Sequence, residues 1–157
     1  MKILMVCLGN ICRSPLAEGI MQKHLNLFGI QGNVDSAGVL SFHEGDPPQP
    51  GSIRVAANHG LDISHQKSRP FVIDDFELFD LIFTMDQSVH QQIKSMTTNP
   101  DYLSRTHLLL EFAGNIESRD VPDPYRLSDE AFEHVYQLID EACRVIVSKL
   151  KPKEFNG

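Results

Sequence analysis

Two thiols and a guanidinium stand close together near the start of the chain: Cys7, Cys12 and Arg13, within Val6-Cys7-Leu8-Gly9-Asn10-Ile11-Cys12-Arg13-Ser14-Pro15. A cysteine attacks as its thiolate, and positive surroundings favour that form. A planar guanidinium can grip two oxygens of one phosphate. A short loop ahead of a helix N-terminus aims backbone N–H groups at an anion. The segment therefore offers a nucleophile, a cradle for an oxyanion and a bidentate clamp. The bare Cys7-to-Arg13 spacing is a weak pattern, and a small buried hydrophobe beside a surface charge is the alternative reading. The setting favours chemistry: an apolar run precedes Cys7, Gly9 lies inside, and Ser14-Pro15 reads as a helix start.

A thiolate that attacks phosphorus must expel an alkoxide or phenoxide, so a carboxylic acid on a nearby loop should protonate the leaving oxygen. Asp123 lies in Val121-Pro122-Asp123-Pro124-Tyr125, where prolines on both sides stiffen the backbone. An ordinary turn aspartate fits that segment equally well, and Asp120 competes for the role. Asp86 precedes a helical pattern and reads as an N-cap.

The elements that would position these groups alternate between strand and helix. Residues 2–6 read as a buried strand. A helix follows with Ser14 as N-cap and Pro15 at its first position, Leu16, Ala17, Ile20, Met21, Leu25 and Phe28 on one face, and Gly29 or Gly32 at its end. Further strands are expected over 34–38, 79–85 and 107–112, and helices over 52–59 and 87–96. The prolines between Gly45 and Gly51 demand irregular structure. Phe132, Val135, Tyr136, Ile139, Ala142, Cys143, Ile146 and Leu150 form the stripe of a last helix. The expectation is an α/β fold: one three-layer domain over 1–157, with a central four-stranded parallel sheet, helices on both faces, a phosphate-binding loop after the first strand, and a frayed tail from about 151.

Composition narrows the function classes. Hydrophobic residues make up 41%, as in a globular domain, and the net charge of -7 argues against nucleic-acid binding. No apolar run approaches the roughly 18 residues of a membrane span. The apolar N-terminus is too short for a signal peptide. Cys7, Cys12 and Cys143 make no disulfide framework and point to a reducing cytoplasm, with Cys143 in the core. No Cys-x-x-Cys or His-Glu-x-x-His is present and the seven histidines are scattered, so neither metal nor cofactor is expected. A monomer is the default expectation.

The segment from Cys7 to Pro15 resembles the signature loop of the low-molecular-weight protein tyrosine phosphatases. The likeness continues through Ser36-Ala37-Gly38, the turn near Pro47, His59-Gly60, Ser64-His65, Met85-Asp86 and Asp123-Pro124-Tyr125. It implies hydrolysis of phosphotyrosine, on a protein or a small aryl phosphate, through a phosphocysteine on Cys7, with inorganic phosphate as product. Arg13 and the loop Leu8, Gly9, Asn10, Ile11, Cys12 and Ser14 would bind the phosphate, and Asp123 would be general acid, then base. By the same resemblance Ser14 donates to the Cys7 thiolate, Asn10 joins a network with Ser36 and His65, and Phe42 and Tyr125 wall the substrate pocket. Cys12 would form a protective disulfide with Cys7, a small packed residue being the alternative. A related branch acts on phosphoarginine and carries threonine where Ile11 stands. A hydrocarbon there cannot hydrogen-bond a guanidinium, which favours phosphotyrosine. Arg126 departs from the pattern, standing where many members have a second aromatic. Arsenate reductases share the loop, but no cysteine lies between Cys12 and Cys143 to relay a disulfide. A non-catalytic phosphate-binding module would need neither nucleophile nor acid.

Overall fold

The computed structural model describes residues 1–115 and 117–150. Its centre is the first strand, β1 (Lys2–Cys7). Successive side chains of a strand point to opposite faces. Ile3, Met5 and Cys7 accordingly enter one apolar cluster, while Leu4 and Val6 enter another. A strand buried on both sides has no polar alternation, which is why this run reads as continuously hydrophobic.

Three parallel partners complete the sheet: β2 (Asn33–Gly38), β3 (Leu81–Thr84) and β4 (Thr106–Leu108), in the order β2-β1-β3-β4. β1 pairs Cys7 with Gly38 on one side and Val6 with Thr84 on the other. The chain thus switches direction across the sheet at β1, and the crevice beyond its C-terminal end is where open α/β sheets place ligands.

On the first face lie α1 (Arg13–Leu27), α2 (Pro50–Asn58) and α7 (Asp129–Leu150), whose stripe Phe132, Val135, Tyr136, Ile139, Cys143 and Ile146 is fully buried. On the second lie α3 (Asp75–Leu78) and α4 (Gln87–Lys94), contributing Phe76, Val89 and Ile93. Two further short helices are α5 (Pro100–Ser104) and α6 (Leu109–Phe112). The expected three-layer α/β fold with a four-stranded parallel sheet is the fold found. Gly29, at φ 69°, closes α1: its N–H reaches Asn26 and that of Ile30 reaches Leu25, a left-handed turn that favours glycine.

Several boundaries differ from those read in the sequence. α1 begins at Arg13 after Cys12, without a side-chain cap, so Ser14 is inside the helix and its hydroxyl is used elsewhere. The apolar run 107–112 divides: β4 stops at Leu108, and Leu109 and Leu110 turn as α6 into the cluster beneath α7. A short apolar run does not distinguish strand from buried helix. β3 is shorter than 79–85 because Phe79 belongs to the turn after α3, packed in the second cluster. The expected tail from 151 lies outside the described residues. Among the described residues, no helix is long and apolar enough to cross a membrane, and no group of three His, Cys, Asp or Glu side chains is placed to hold a metal.

Candidate active site

Cys7 ends β1, and the chain from Leu8 to Cys12 curls above it before α1 begins. What shapes this loop is the way its carbonyls are tied outward. The carbonyl of Cys7 accepts from Val39 N–H at 3.1 Å and that of Leu8 from Leu40 N–H at 2.9 Å. Ser68 Oγ donates to Gly9 O at 3.0 Å, Gln49 N–H to Ile11 O at 2.8 Å, and Ser52 Oγ to Cys12 O at 3.1 Å. In a trans peptide the next residue's N–H points opposite its carbonyl. The N–H groups of Leu8, Gly9, Asn10, Cys12 and Arg13 therefore turn away from these partners, toward the loop's concave side. That of Asn10 meets Cys7 Sγ at 3.3 Å. The result is a nest of donors around the sulfur.

Asn10 holds the bend. It is one of two non-glycine residues with positive φ among those described, at 57°, a conformation asparagine tolerates better than most. Its Oδ1 accepts the Arg69 N–H at 3.0 Å, so its Nδ2 faces Ser14 and donates to Oγ at 2.8 Å. Ser14 Oγ, having accepted that hydrogen bond, directs its own proton toward Cys7 Sγ at 2.9 Å. Cys7, Asn10, Arg13 and Ser14 are all buried. Ser36 and His65, expected in this network, lie elsewhere: Ser36 Oγ donates to Glu18 Oε1 at 2.9 Å, and His65 is exposed and makes no hydrogen bond to Asn10. The backbone of Arg69 fills the place expected of a side-chain partner. Glu18 is pushed up to about 7, chiefly by burial, with Asp35 adding to the rise and Ser36 and Arg69 opposing it.

The Arg13 guanidinium is anchored through Nη1, which donates to Asp86 Oδ2 at 2.7 Å and to Val121 O at 3.0 Å. Asp86 meanwhile caps α4, its Oδ1 accepting Val89 N–H at 2.8 Å. Nη2 of Arg13 lies 3.9 Å from Asp123 Oδ2. Asp123 is half-exposed, and its Oδ1 accepts the Tyr125 N–H at 3.0 Å across Pro124. Asp120 accepts from Gln87 instead.

These groups line one cavity of about 130 Å³, with Cys7, Cys12, Arg13 and Asp123 at its base and side and Leu8, Ile11, Leu40, His43 and Tyr125 around it. Phe42 does not line it. That ring stands 85% exposed and packs edge-on against His43, which takes the wall position and is itself paired with Asp46 at 3.2 Å. Cys12 is a free thiol, as are Cys7 and Cys143. Burial, reinforced by Asp123 and Cys7, pushes the Cys12 thiol up to about 12, so it stays protonated beside Cys7. Sequence reasoning missed the outward tethers from Gln49, Ser52 and Ser68, the Arg69 backbone, the Arg13–Asp86 pair and His43. All are contacts between distant segments, and local pattern carries no signal of them.

Residues 2–155 match the family described as low molecular weight phosphotyrosine protein phosphatase. The protein is 41% identical over 142 residues to the low molecular weight protein-tyrosine-phosphatase PtpA of Staphylococcus aureus, covering 90% of this chain and 88% of the relative. It superposes on a protein tyrosine phosphatase from Entamoeba histolytica with a TM-score of 0.90 at 35% identity, covering 96% of each chain. It is equally close in shape to a Drosophila arginine phosphatase, with a TM-score of 0.90 at 32% identity over 98% of this chain and 100% of the other. The chain therefore belongs to the low molecular weight phosphotyrosine protein phosphatase family.

Proposed function

We propose that the protein hydrolyses phosphotyrosine through a phosphocysteine on Cys7. The observation that carries this reading is the pairing of Cys7 Sγ with Ser14 Oγ at 2.9 Å inside a loop whose Asn10 N–H also meets the sulfur, at 3.3 Å. The phosphoryl group settles into the amide nest. Arg13 offers it the donors left by Nη1, which is held by Asp86 and Val121. The Cys7 thiolate attacks phosphorus, forming the S–P bond as the P–O bond to the tyrosine breaks. Asp123, in its carboxylic acid form, gives its proton to the departing phenoxide. Water then attacks the phosphocysteine, Asp123 takes a proton from it, inorganic phosphate forms, and the thiolate returns. Ser14 and the loop amides stabilise the sulfur when it is negatively charged, at both the start and the end of the cycle. The nucleophile must remain reduced, which suits a cytoplasmic setting.

Phosphoarginine is the second reading, because the Drosophila arginine phosphatase is as similar in shape as a tyrosine phosphatase. Ile11 tells against it: buried in the cavity wall, its hydrocarbon side chain cannot accept a hydrogen bond from a guanidinium, whereas it suits the face of a phenyl ring.

The test is hydrolysis of p-nitrophenyl phosphate in the presence of EDTA, with Cys7→Ser and Asp123→Ala beside the parent protein. Cys7→Ser should abolish turnover, and Asp123→Ala should lower kcat by about 10² to 10⁴. Tyrosine-phosphorylated peptides should then be hydrolysed and arginine-phosphorylated ones not. A parent protein that binds phosphate without turning over any of these esters would sink the reading.

A further inference from the structure

We propose that Arg126 is a specificity-determining residue: its guanidinium, held over the ring of the cavity-lining Tyr125, receives an acidic side chain one or two residues from the phosphotyrosine. The inference rests on the function proposed above and names the kind of polypeptide that the site prefers.

The first observation is conformational. Leu127 N–H donates to Pro124 O at 2.9 Å, closing a four-residue turn whose third residue, Arg126, has φ 62°. That is the pattern of a type II turn, whose third position favours glycine. Arginine there carries a strain of the kind that concentrates at ligand sites. Only two non-glycine residues among those described have positive φ: Asn10 in the phosphate loop and Arg126 in the loop that carries the acid.

The second observation is where the turn sends the side chain. The Arg126 guanidinium carbon lies 5.1 Å from the centre of the Tyr125 ring, within the range of a cation–π contact. Tyr125 itself lines the cavity. The cation is therefore held one ring away from the wall against which a phosphotyrosine would rest. An extended peptide advances about 3.3 Å per residue. The residues that can reach Arg126 are thus the immediate neighbours of the phosphotyrosine.

The third observation is charge. Five of the seven arginines, Arg13, Arg54, Arg69, Arg105 and Arg144, pair with carboxylates. Arg126 has no carboxylate partner among the described residues, in a chain of net charge -7. The residue is exposed, so its charge remains available to an incoming anion. The cavity wall formed by His43 is different. There His43 is occupied by Asp46, and Glu44 is exposed beside them, so an acidic side chain on that side meets negative charge. The preference should accordingly be one-sided along the peptide.

Tyrosine-phosphorylated peptides of one sequence, with glutamate, glutamine or lysine placed in turn at the two positions on either side, would be compared by kcat/KM. The parent protein should favour glutamate over lysine by roughly threefold to fivefold on one side of the phosphotyrosine only, and that ratio should shrink in high salt, as expected of a charge at an exposed rim. Arg126→Gln should bring the ratio to about one, and Arg126→Glu should invert it. Arg126→Gly removes the charge while relieving the turn, so it should also lose the preference and melt no lower than the parent. Because each ratio is read within one variant, a change in its general activity does not enter. Equal use of glutamate and lysine peptides by the parent, or a preference that persists in Arg126→Glu, overturns the inference while leaving the phosphatase reading intact. Failure of the parent to hydrolyse any tyrosine-phosphorylated peptide removes that reading itself.

Discussion

Ser14 has two neighbours that decide its role. Asn10 Nδ2 donates to it, and it in turn faces Cys7 Sγ. Removing the hydroxyl leaves a thiolate short of one charged hydrogen bond, and such bonds contribute about 1.5–3 kcal/mol. Ser14→Ala should therefore lower kcat by roughly tenfold to a hundredfold with little change in KM, and slow alkylation of Cys7 by iodoacetate at fixed pH. An unchanged alkylation rate would show that Ser14 only spaces the helix. From local pattern alone this residue reads as an N-cap, because Ser-Pro before an apolar stripe is a general helix signal; only the family resemblance pointed to the sulfur seven positions earlier. Asp86 was legible as the cap of α4, but the bond from its second oxygen to Arg13 links residues 73 apart in sequence. Cys7, Arg13 and Asp123 were legible as candidates because their chemistry dictates residue types. Phe42 and His65 stand away from the places expected of them because a loop rotamer and a backbone donor are tertiary outcomes.

At the scale of elements, the end of β2 is packed against the phosphate loop without room for a side chain. A Cβ on Gly38 would lie 2.9 Å from Asn10 N and from Gly9 C, both backbone atoms. The loop cannot yield without breaking the bonds from Val39 and Leu40 that tie its carbonyls. Gly38→Ala should destabilise the protein by about 1–3 kcal/mol and cut activity far more than stability. A variant that melts lower but keeps its kcat would show the loop to be deformable. The strand itself was easy to anticipate, since Val34 to Gly38 follows a clear helix end. The division of 107–112 into β4 and α6 was not, since only the packing of Leu109 and Leu110 beneath α7 decides it.

For the molecule as a whole, partly buried titratable groups set opposing limits on stability. Glu18 is raised from 4.5 to about 7, so the folded state holds that proton more tightly than the unfolded chain. Stability present below pH 4.5 is therefore lost as pH rises to about 7. His90 and His107 are lowered from 6.5, mainly by burial, with Lys94 adding to the effect. Their contribution runs the other way: it is complete above pH 6.5 and lost as pH falls through their folded values. Glu18→Gln keeps an acceptor for Ser36 but removes the charge. It should raise stability at pH 8 by up to about 2 kcal/mol and change it far less at pH 5, measured by thermal melts at both. Equal shifts at the two pH values would mean that the effect is packing and not ionisation. None of this is visible in a net charge of -7, because burial is decided by the sheet and not by composition.

The outward tethers of the phosphate loop also bear on how the chain reaches its native state. Five carbonyls between Cys7 and Cys12 are held by Val39, Leu40, Gln49, Ser52 and Ser68. Neither β1 nor α1 alone can shape the nest; it exists only after the segment from β2 through α2 and beyond has docked. Such non-local closure is slow compared with helix formation. During refolding, helical signal should return first, and hydrolysis should appear only with the last kinetic phase.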